Sequence, residues 1–303
     1  MRIGLALDGS TDLTTLLAAA EAAASAGFPA VWLSDVGGWD PLTVAALVGQ
    51  RTPGLQVGTA IVQLLGRHPL HLAGQALTTQ AAAGGRLTLG VGPSHAPIVE
   101  QRFGLSWDRP LLQVRERLDL LGPLLAGESV DVHGETVSAT GGVAAPGVSA
   151  PDVLLAAHGP QMLALAGQRA DGAITIWARP ELVADFIAPT VARAAVTAGR
   201  PAPRIVVGLN VTLTDDPDAA RRFVAEKFAA AANMPSYRGA LVRQGLVGVE
   251  DTVVVGDKAA IRSAVDSYEK AGATELIAFV TGRPSDGEGT VAALAELARE
   301  AAS

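Results

Sequence analysis

Short apolar runs alternate along the chain with longer alanine-rich stretches whose apolar residues recur at helical spacing. The apolar runs are of strand length and carry few polar positions, as strands buried on both faces do. They predict eight strands, at residues 3–7, 31–34, 57–62, 87–91, 153–156, 173–176, 205–213 and 276–280. Helical spacing occupies the segments between most of them, at residues 13–26, 41–50, 69–83, 111–125, 161–168 and 181–198.

Strands separated by helices in this way indicate an α/β protein with a parallel sheet that helices cover on both faces. Eight such units favour a closed (β/α)8 TIM barrel over an open doubly wound sheet. The boundary residues agree, because Pro41 and Pro69 stand at first helical positions and Gly27 and Gly199 follow helix ends. No linker divides the chain, so we expect residues 1–303 to form one domain.

Three segments are longer than an ordinary connection, at residues 95–110, 127–151 and 229–257. The second contains a predicted hairpin, VDVHGETVSA, with His133 and Gly134 at its tip. We expect such insertions to decorate the C-terminal face of the barrel, where the sites of TIM barrels lie.

Composition narrows the class of protein. The chain has 303 residues, 49% of them hydrophobic, which suffices for a large core and argues against disorder. A formal net charge of -7 disfavours nucleic acid or an anionic membrane as a partner. Cysteine is absent, which excludes thiol nucleophiles and cysteine-ligated metal. With no signal peptide and no membrane-length apolar run, we expect a soluble cytoplasmic protein.

Polar and glycine-rich residues follow the predicted strands, at the end where TIM barrels place their sites. They are Asp8, Asp35, Gln63, the run Gly92-Pro93-Ser94-His95, the run His158-Gly159-Pro160-Gln161, and Trp177. The five histidines lack metal-site spacing and no lysine ends a strand, so neither a metal nor a Schiff base is expected. The remaining groups suit a site that binds a flat cofactor and handles a proton.

Several fragments, taken in their order and spacing, resemble the luciferase-like monooxygenases, and in particular the branch that uses the deazaflavin coenzyme F420. They are VWLSD at 31–35, GTAIVQLLGRHPLHLAGQALTTQAAAGGRLTLGVGPSH at 58–95 and LLAAHGPQMLALAGQRADG at 154–172. The resemblance implies an F420-dependent oxidoreductase that transfers a hydride between the deazaflavin and a small organic substrate. The reaction would be reduction of C=C or C=N, or oxidation of an alcohol. Relatives commonly form dimers, so a homodimer is expected.

The resemblance also implies a cofactor site. In such enzymes a cis peptide bond in a bulge of strand three backs the deazaflavin ring, and the matching bond is Ala60–Ile61. The stretch AAHGP, residues 156–160, matches a turn and helix N-terminus that hold the cofactor phosphate. The cofactor-binding residues expected on this basis are Ala60, Ile61, Gln63, Gly92, Pro93, Ser94, His158, Gly159, Gln161 and Trp177. Trp177 equally suits packing at the barrel rim.

His95 and Asp35 are the expected catalytic residues. His95 stands where related sugar-phosphate dehydrogenases have an active-site glutamate, and Val36 where they have a histidine, so their activity is not expected of this chain. With an ordinary pKa near 6.5, His95 would donate a proton near neutral pH when hydride adds to the substrate. Gly90 and Gly92 would let the backbone approach the ring. A hydrogen-bonded loop role for His95 and a turn-capping role for Asp35 remain alternatives.

Other functions stay open. The first is an FMN-dependent monooxygenase of the same fold, and the second is a catalytically silent protein that binds a flavin or deazaflavin. A barrel acting on sugar phosphates without a cofactor lacks the necessary paired carboxylates or basic residues at strand ends. Apolar residues in the insertions suggest an apolar substrate, which the sequence does not identify; they are Phe103, Leu105, Trp107, Met234 and Tyr237.

Overall fold

Residues 1–301, apart from the side chains at positions 284 and 285, are described by a computed structural model. Parallel strands form a closed barrel with helices around it. The strands are β1 (Arg2–Ala6), β2 (Ala30–Leu33), β3 (Gln56–Thr59), β4 (Val62–Gln63), β5 (Leu87–Gly92), β6 (Val130–His133), β7 (Ser138–Gly141), β8 (Asp152–Ala156), β9 (Gly172–Ile176), β10 (Arg204–Leu213), β11 (Val254–Gly256) and β12 (Glu275–Val280).

Eight of these strands make the barrel, in the order β10-β12-β1-β2-β3-β5-β8-β9, and pairing of β9 with β10 closes it. Each lies at a predicted position, which confirms the (β/α)8 TIM barrel. The third strand is interrupted, because β3 and β4 both pair with β5 but are separated by a cis peptide bond between Ala60 and Ile61. The cis bond expected from the family resemblance is therefore present.

The helices follow the barrel strands and cover the sheet. They are α1 (Leu13–Ala26), α2 (Pro41–Arg51), α3 (Pro69–Ala82), α4 (Pro110–Leu125), α5 (Pro160–Arg169), α6 (Pro180–Leu182), α7 (Ala188–Thr197), α8 (Pro217–Ala232), α9 (Pro235–Arg243), α10 (Lys258–Lys270) and α11 (Pro284–Glu300). Pro41 and Pro69 begin their helices and Gly27 ends α1 in the left-handed region, as predicted. The single helix expected over 181–198 is instead α6 and α7 joined by a π-helical turn, Val183–Ile187.

The N-terminal half of the barrel interior is filled by Trp32, whose indole lies between Gly4 and Gly58. A Cβ atom at Gly58 would lie 2.4 Å from the ring, and one at Gly4 would lie 2.6 Å from Nε1. Trp32 Nε1 donates to the buried carboxylate of Glu275 at 3.1 Å, and Arg204 pairs with the same carboxylate at 2.9 Å. Since these groups close one end, the barrel opens at the C-terminal ends of its strands.

Two of the three long segments extend from that open end, as expected. Residues 95–110 follow β5 and contain a π-helical turn, Ile98–Arg102. Residues 229–257 begin in the last turn of α8, which follows β10. They contain α9, a 3-10 turn (Val249–Thr252) and β11, which extends the sheet beside β10. These two segments therefore lie at the open, C-terminal end of the barrel.

The segment 127–151 differs from this expectation. It forms the predicted antiparallel hairpin of β6 and β7, but it joins the end of α4 to the start of β8, so it leaves and re-enters the barrel at the N-terminal end. The hairpin packs outside α3 and α4, where Glu116 accepts from the amides of Glu135 and Thr136 at 2.9 and 2.8 Å. The carbonyl of Ser138 lies 3.0 Å from His68 Nε2. The hairpin therefore packs against α3 and α4 and does not cover the open end of the barrel.

Candidate functional site

Side chains from the ends of β5, β8 and β9 converge on Tyr237 of α9. The ring centroid of Tyr237 lies 4.7 Å from His95, 5.2 Å from His158 and 4.7 Å from Trp177. Trp177 is buried, has a left-handed φ of 57°, and donates from Nε1 to Asn210 Oδ1 at 2.8 Å. We call His95, His158, Trp177 and Tyr237 the aromatic cluster. Tyr237 thus brings together three of the predicted site residues, His95, His158 and Trp177.

The aromatic cluster is electrically neutral at neutral pH. Burial, helped by the neighbouring His95, lowers the pKa of His158 to about 4. Burial also lowers the pKa of His95 below its ordinary value and raises that of the Tyr237 phenol. His95 was expected to donate a proton near neutral pH. Because the lowered pKa leaves its imidazole neutral, His95 is better suited to accept one.

Hydrogen-bond partners orient the two imidazoles. The Oγ1 of Thr175, from β9, lies 3.2 Å from Nδ1 of His158. The Oγ of Ser236, next to Tyr237 in α9, lies 3.4 Å from Nδ1 of His95. Each hydroxyl can donate to its ring nitrogen or accept from it, so the tautomers adjust to what the opposite nitrogen meets.

A second group of predicted residues lines a cavity of about 340 Å³ beside the ends of β2 and β4. We call it the polar cavity; its polar and aromatic lining consists of Asp35, Asp40, Gln63, Arg67, Arg102 and Phe103. Arg67 holds both acids there, with Nη2 2.7 Å from Asp40 Oδ2 and 3.4 Å from Asp35 Oδ2. Burial alone would raise the pKa of Asp40, but hydrogen bonds from Arg67 and Thr43 hold it below its usual value.

Gln63 leaves an unpaired acceptor at this cavity. Its side chain is only 5% exposed, and its Nε2 donates to the Asp35 carbonyl at 2.9 Å. Within the described residues its Oε1 has no hydrogen-bond partner. A buried amide oxygen without a donor is costly, so a bound molecule with an N–H or O–H group would satisfy it.

The Ala60–Ile61 bulge lies next to the polar cavity and β5. The backbone N–H of Asp35 donates to the Ile61 carbonyl at 3.2 Å, and Ser34 Oγ donates to the Ala60 carbonyl at 2.9 Å. On its other side, the Ile61 side chain lies 3.2 Å from where a Cβ of Gly92 would stand. The bulge therefore contacts the ends of both β2 and β5.

The glycines of β5 serve packing within the barrel. A Cβ at Gly90 would lie 1.9 Å from the Thr59 carbonyl oxygen, and one at Gly92 would lie 2.9 Å from Ala156 Cβ. Protein atoms occupy the directions in which Cβ atoms at Gly90 and Gly92 would extend, and the expectation that these glycines let the backbone approach a cofactor ring stays a prediction. The following Pro93 and Ser94 are partly exposed, and Ser94 has a left-handed φ of 69°.

The first turn of α5 has no side-chain cap. Its N-cap is Gly159, and Pro160 at the first helical position has no N–H. The backbone N–H of Gln161 therefore lies in a first turn whose N–H groups donate no hydrogen bond to a capping side chain. The side chain of Gln161 is exposed. A helix N-terminus of this kind favours an anion such as a phosphate. This fits the predicted role of Gly159 and Gln161.

Sequence reasoning did not find the centre of either group. Tyr237 was considered only as an apolar lining residue, and Arg102 not at all. His68 caps α3, accepting from the amide of Leu70 at 3.3 Å, whereas Arg67 lines the polar cavity. A local pattern could not reveal Tyr237 or Arg102, because each reaches the site from an irregular insertion.

In residues 1–301, no group of three or more His, Asp or Glu side chains is arranged to hold a metal ion. No helix in the described part of the chain is both long and apolar enough to cross a membrane.

The comparisons with known proteins agree with this geometry. Residues 1–275 match the family model of the luciferase-like monooxygenases. An F420-dependent glucose-6-phosphate dehydrogenase of Beutenbergia cavernae is 32% identical over 254 residues, which cover 78% of this chain and 73% of that protein. A 5,10-methylenetetrahydromethanopterin reductase of Methanolobus tindarius is 26% identical over 234 residues, covering 76% and 71%.

Solved structures share the fold at lower identity. An F420-dependent secondary alcohol dehydrogenase, in complex with an F420-acetone adduct, superposes with a TM-score of 0.80 at 19% identity over 97% of each chain. The FMN-bound oxygenating constituent of 3,6-diketocamphane monooxygenase from Pseudomonas putida gives a TM-score of 0.78 at 17% identity, covering 98% and 97%. With the family model spanning most of its length, the chain belongs to the luciferase-like monooxygenase family.

Proposed function

We propose that this protein is an F420-dependent oxidoreductase that transfers a hydride between the deazaflavin and a small organic substrate. The F420-dependent glucose-6-phosphate dehydrogenase relative supports the choice of cofactor. Glucose 6-phosphate is not the proposed substrate, because Val36 and His95 stand where the dehydrogenases of that type have a histidine and a glutamate.

One observation carries the proposal. The bulge at Ala60–Ile61, the uncapped first turn of α5 and the imidazole of His95 all lie at the C-terminal edge of the barrel. A flat ring and a phosphate on one molecule would use the first two, and F420 carries both. The donor set therefore fits the cofactor.

F420, when bound, supplies the hydride chemistry, and the protein's own residues position the reactants and move the proton. The first-turn amides of α5 would hold the phosphate, and Ile61 would support one face of the ring. His95 would accept the hydroxyl proton of an alcohol while hydride leaves the adjoining carbon, and would return that proton in the reverse direction. The lowered pKa of His95 suits it to this role of base.

A second candidate is an FMN-dependent monooxygenase. FMN also has a flat ring and a phosphate, so the first turn of α5 does not discriminate between the two cofactors. The FMN-bound neighbour establishes only that the fold is shared.

Titration of the purified protein with F420 and, separately, with FMN tests the choice of cofactor. We expect F420 to bind with a dissociation constant of about 1 μM or less, seen as fluorescence quenching, and FMN to bind far more weakly. Preference for FMN would move the protein to the monooxygenase reaction. Binding of neither would contradict both functions.

The predicted homodimer is also part of the proposal. Sedimentation velocity of the full chain at several concentrations would measure it, with a monomer at every concentration as the contrary result.

A further inference from the structure

We propose that the polar cavity binds a small substrate bearing a carboxylate, with Arg102 pairing the carboxylate and Gln63 accepting a hydrogen bond from a hydroxyl or N–H group of the same molecule. The inference rests on the proposed function and names the substrate class for that site. It replaces the apolar substrate that the sequence suggested, because Phe103 alone of the five apolar residues named for the insertions lines this cavity.

Arg102 supplies the first argument. Its guanidinium carries five N–H donors, yet among the described residues its one hydrogen bond is a long one, from Nη2 to the Gly37 carbonyl at 3.4 Å. Arg67, in the same cavity, donates from Nη1 to Gln75 and from Nη2 to Asp40 and, at 3.4 Å, to Asp35. The two arginines therefore differ, because side chains hold both terminal nitrogens of Arg67, whereas the exposed Arg102 makes only the long bond to Gly37 among the described residues. Its planar fork of donors can therefore pair with a carboxylate.

The loop after β2 is shaped to admit this guanidinium. Gly37 has a left-handed φ of 94°, and a Cβ atom there would lie 2.1 Å from Arg102 Nη1. A side chain at position 37 would require the Arg102 head group to shift from this position. The ring of Phe103, whose centroid is 5.9 Å from Arg102 Cζ, provides an apolar surface beside it.

Gln63 supplies the second argument. Its amide orientation is determined by the Asp35 carbonyl, which can only accept, so the Nε2 must face it. A flipped amide would set two acceptors against each other. Oε1 therefore points to the other side, buried and without a donor in the described chain. A ligand hydroxyl or N–H group is the missing partner.

The acids of the cavity do not compete for Arg102. Asp40 Oδ2 accepts from Arg67 at 2.7 Å, and its Oδ1 accepts from Thr43 and Gln75 at 2.8 and 3.1 Å. Asp35 shares the same Arg67. With a volume of about 340 Å³ the polar cavity is at the lower end of the range for small-molecule sites. A ligand of a few carbon atoms with one carboxylate satisfies both the size and the charge.

The polar cavity also reaches the bulge that the proposed cofactor would use. Asp35 lines the cavity and donates its amide to Ile61 of the bulge. A substrate held by its carboxylate at Arg102 would therefore extend from the rim toward the cofactor ring.

The test measures binding to the full chain without cofactor, so that it does not depend on F420. Isothermal titration would compare lactate, 2-hydroxy-4-methylpentanoate and mandelate with their neutral primary amides. We expect at least one of the carboxylates to bind about 10-fold or more tightly than its amide. Arg102→Gln should abolish that preference, while Arg102→Lys, which keeps the charge but loses the fork, should retain part of it.

Two further variants separate the contributions. Gln63→Leu should weaken both the hydroxy acid and its amide by about 5-fold or more, because both hydroxyls lose their acceptor. Arg115→Gln, an equal charge change on the exposed face of α4, should leave every affinity unchanged. Unfolding curves would establish that each variant is folded as the wild type is.

Three results would overturn the inference: no carboxylate binds, acid and amide bind equally, or Arg102→Gln leaves the preference intact. A loss of F420 affinity in Arg102→Gln without loss of carboxylate binding would assign Arg102 to the anionic tail of the cofactor instead. Failure of F420 to bind wild-type protein, with carboxylate binding intact, would contradict the proposed function alone.

Discussion

The phenol ring of Tyr237 lies 4.7 Å from the imidazole of His95, tilted by 55°. The two residues come from different insertions, one after β10 and the other after β5. Through this contact α9 covers the ends of three neighbouring barrel strands. A residue that no barrel strand supplies therefore contacts both histidines of the aromatic cluster.

Removing the Tyr237 ring should raise the pKa of both histidines. In Tyr237→Ala water reaches His95 and His158, so their pKa values should move upward toward 6.5, that of His158 from about 4. NMR titration of the imidazole protons measures this. Tyr237→Phe keeps the ring and should leave both values in place; equal shifts in the two variants would show that the hydroxyl, not burial, controls them.

Activity should fall on the acid side of neutrality. Because the pKa of His95 is lowered, its imidazole is neutral at pH 7 and becomes protonated only at lower pH. As a base it should give a kcat/KM for alcohol oxidation that is level near neutral pH and declines below its pKa. His95→Gln should lower kcat by about 10² to 10⁴ and remove the decline.

His71→Gln, which alters an exposed histidine, is the control for the pH profile. An acid-side decline that persists in His95→Gln would assign the titrating group elsewhere.

His158 should make the protein less stable in mild acid. The unfolded chain binds a proton at His158 with a pKa near 6.5, whereas the folded protein does so only near pH 4. Between these values the unfolded state binds more protons, so the free energy of unfolding decreases as pH falls from 6.5 to 4 and is unaffected by this group above 7. The upper limit is about 3 kcal/mol, reduced by water at the ring's exposed edge.

Urea unfolding at several pH values measures this slope, which should be smaller in His158→Gln. His133→Gln removes a histidine whose side chain is 78% exposed, and its slope should equal that of wild type. Identical slopes in all three proteins would mean that His158 is protonated equally in the folded and unfolded states.

Gly58→Ala should destabilise the barrel. The new methyl group would lie 2.4 Å from the Trp32 ring, inside a closed interior, at a cost of roughly 1–3 kcal/mol. Gly239→Ala is the matched change in helix α9, where a Cβ meets nothing within 4 Å, and should stabilise by up to about 1 kcal/mol. Denaturant unfolding compares the two, and no difference between them would mean that the indole moves freely aside.

Local patterns predicted a large part of the architecture. The barrel strands are continuous apolar runs, and Pro41, Pro69 and Gly27 mark helix ends through their own backbone preferences. Such signals depend on a few neighbouring residues, so they can be read from the chain. They did not reveal the π-helical turn at Val183–Ile187, or that the β6–β7 hairpin packs outside the barrel, because both depend on packing between distant segments.

For the site, the sequence by itself determined which polar groups follow the barrel strands, since the alternation of strand and helix brings all strand ends to one edge. The family resemblance added the cis bond at Ala60–Ile61. Only the tertiary structure decided that Tyr237 joins His95 to His158 and that burial makes both imidazoles neutral. It also decided that Arg102 and Gln63 line the same polar cavity. These properties arise from desolvation and from contacts between residues far apart in the chain, and neither is encoded in local spacing.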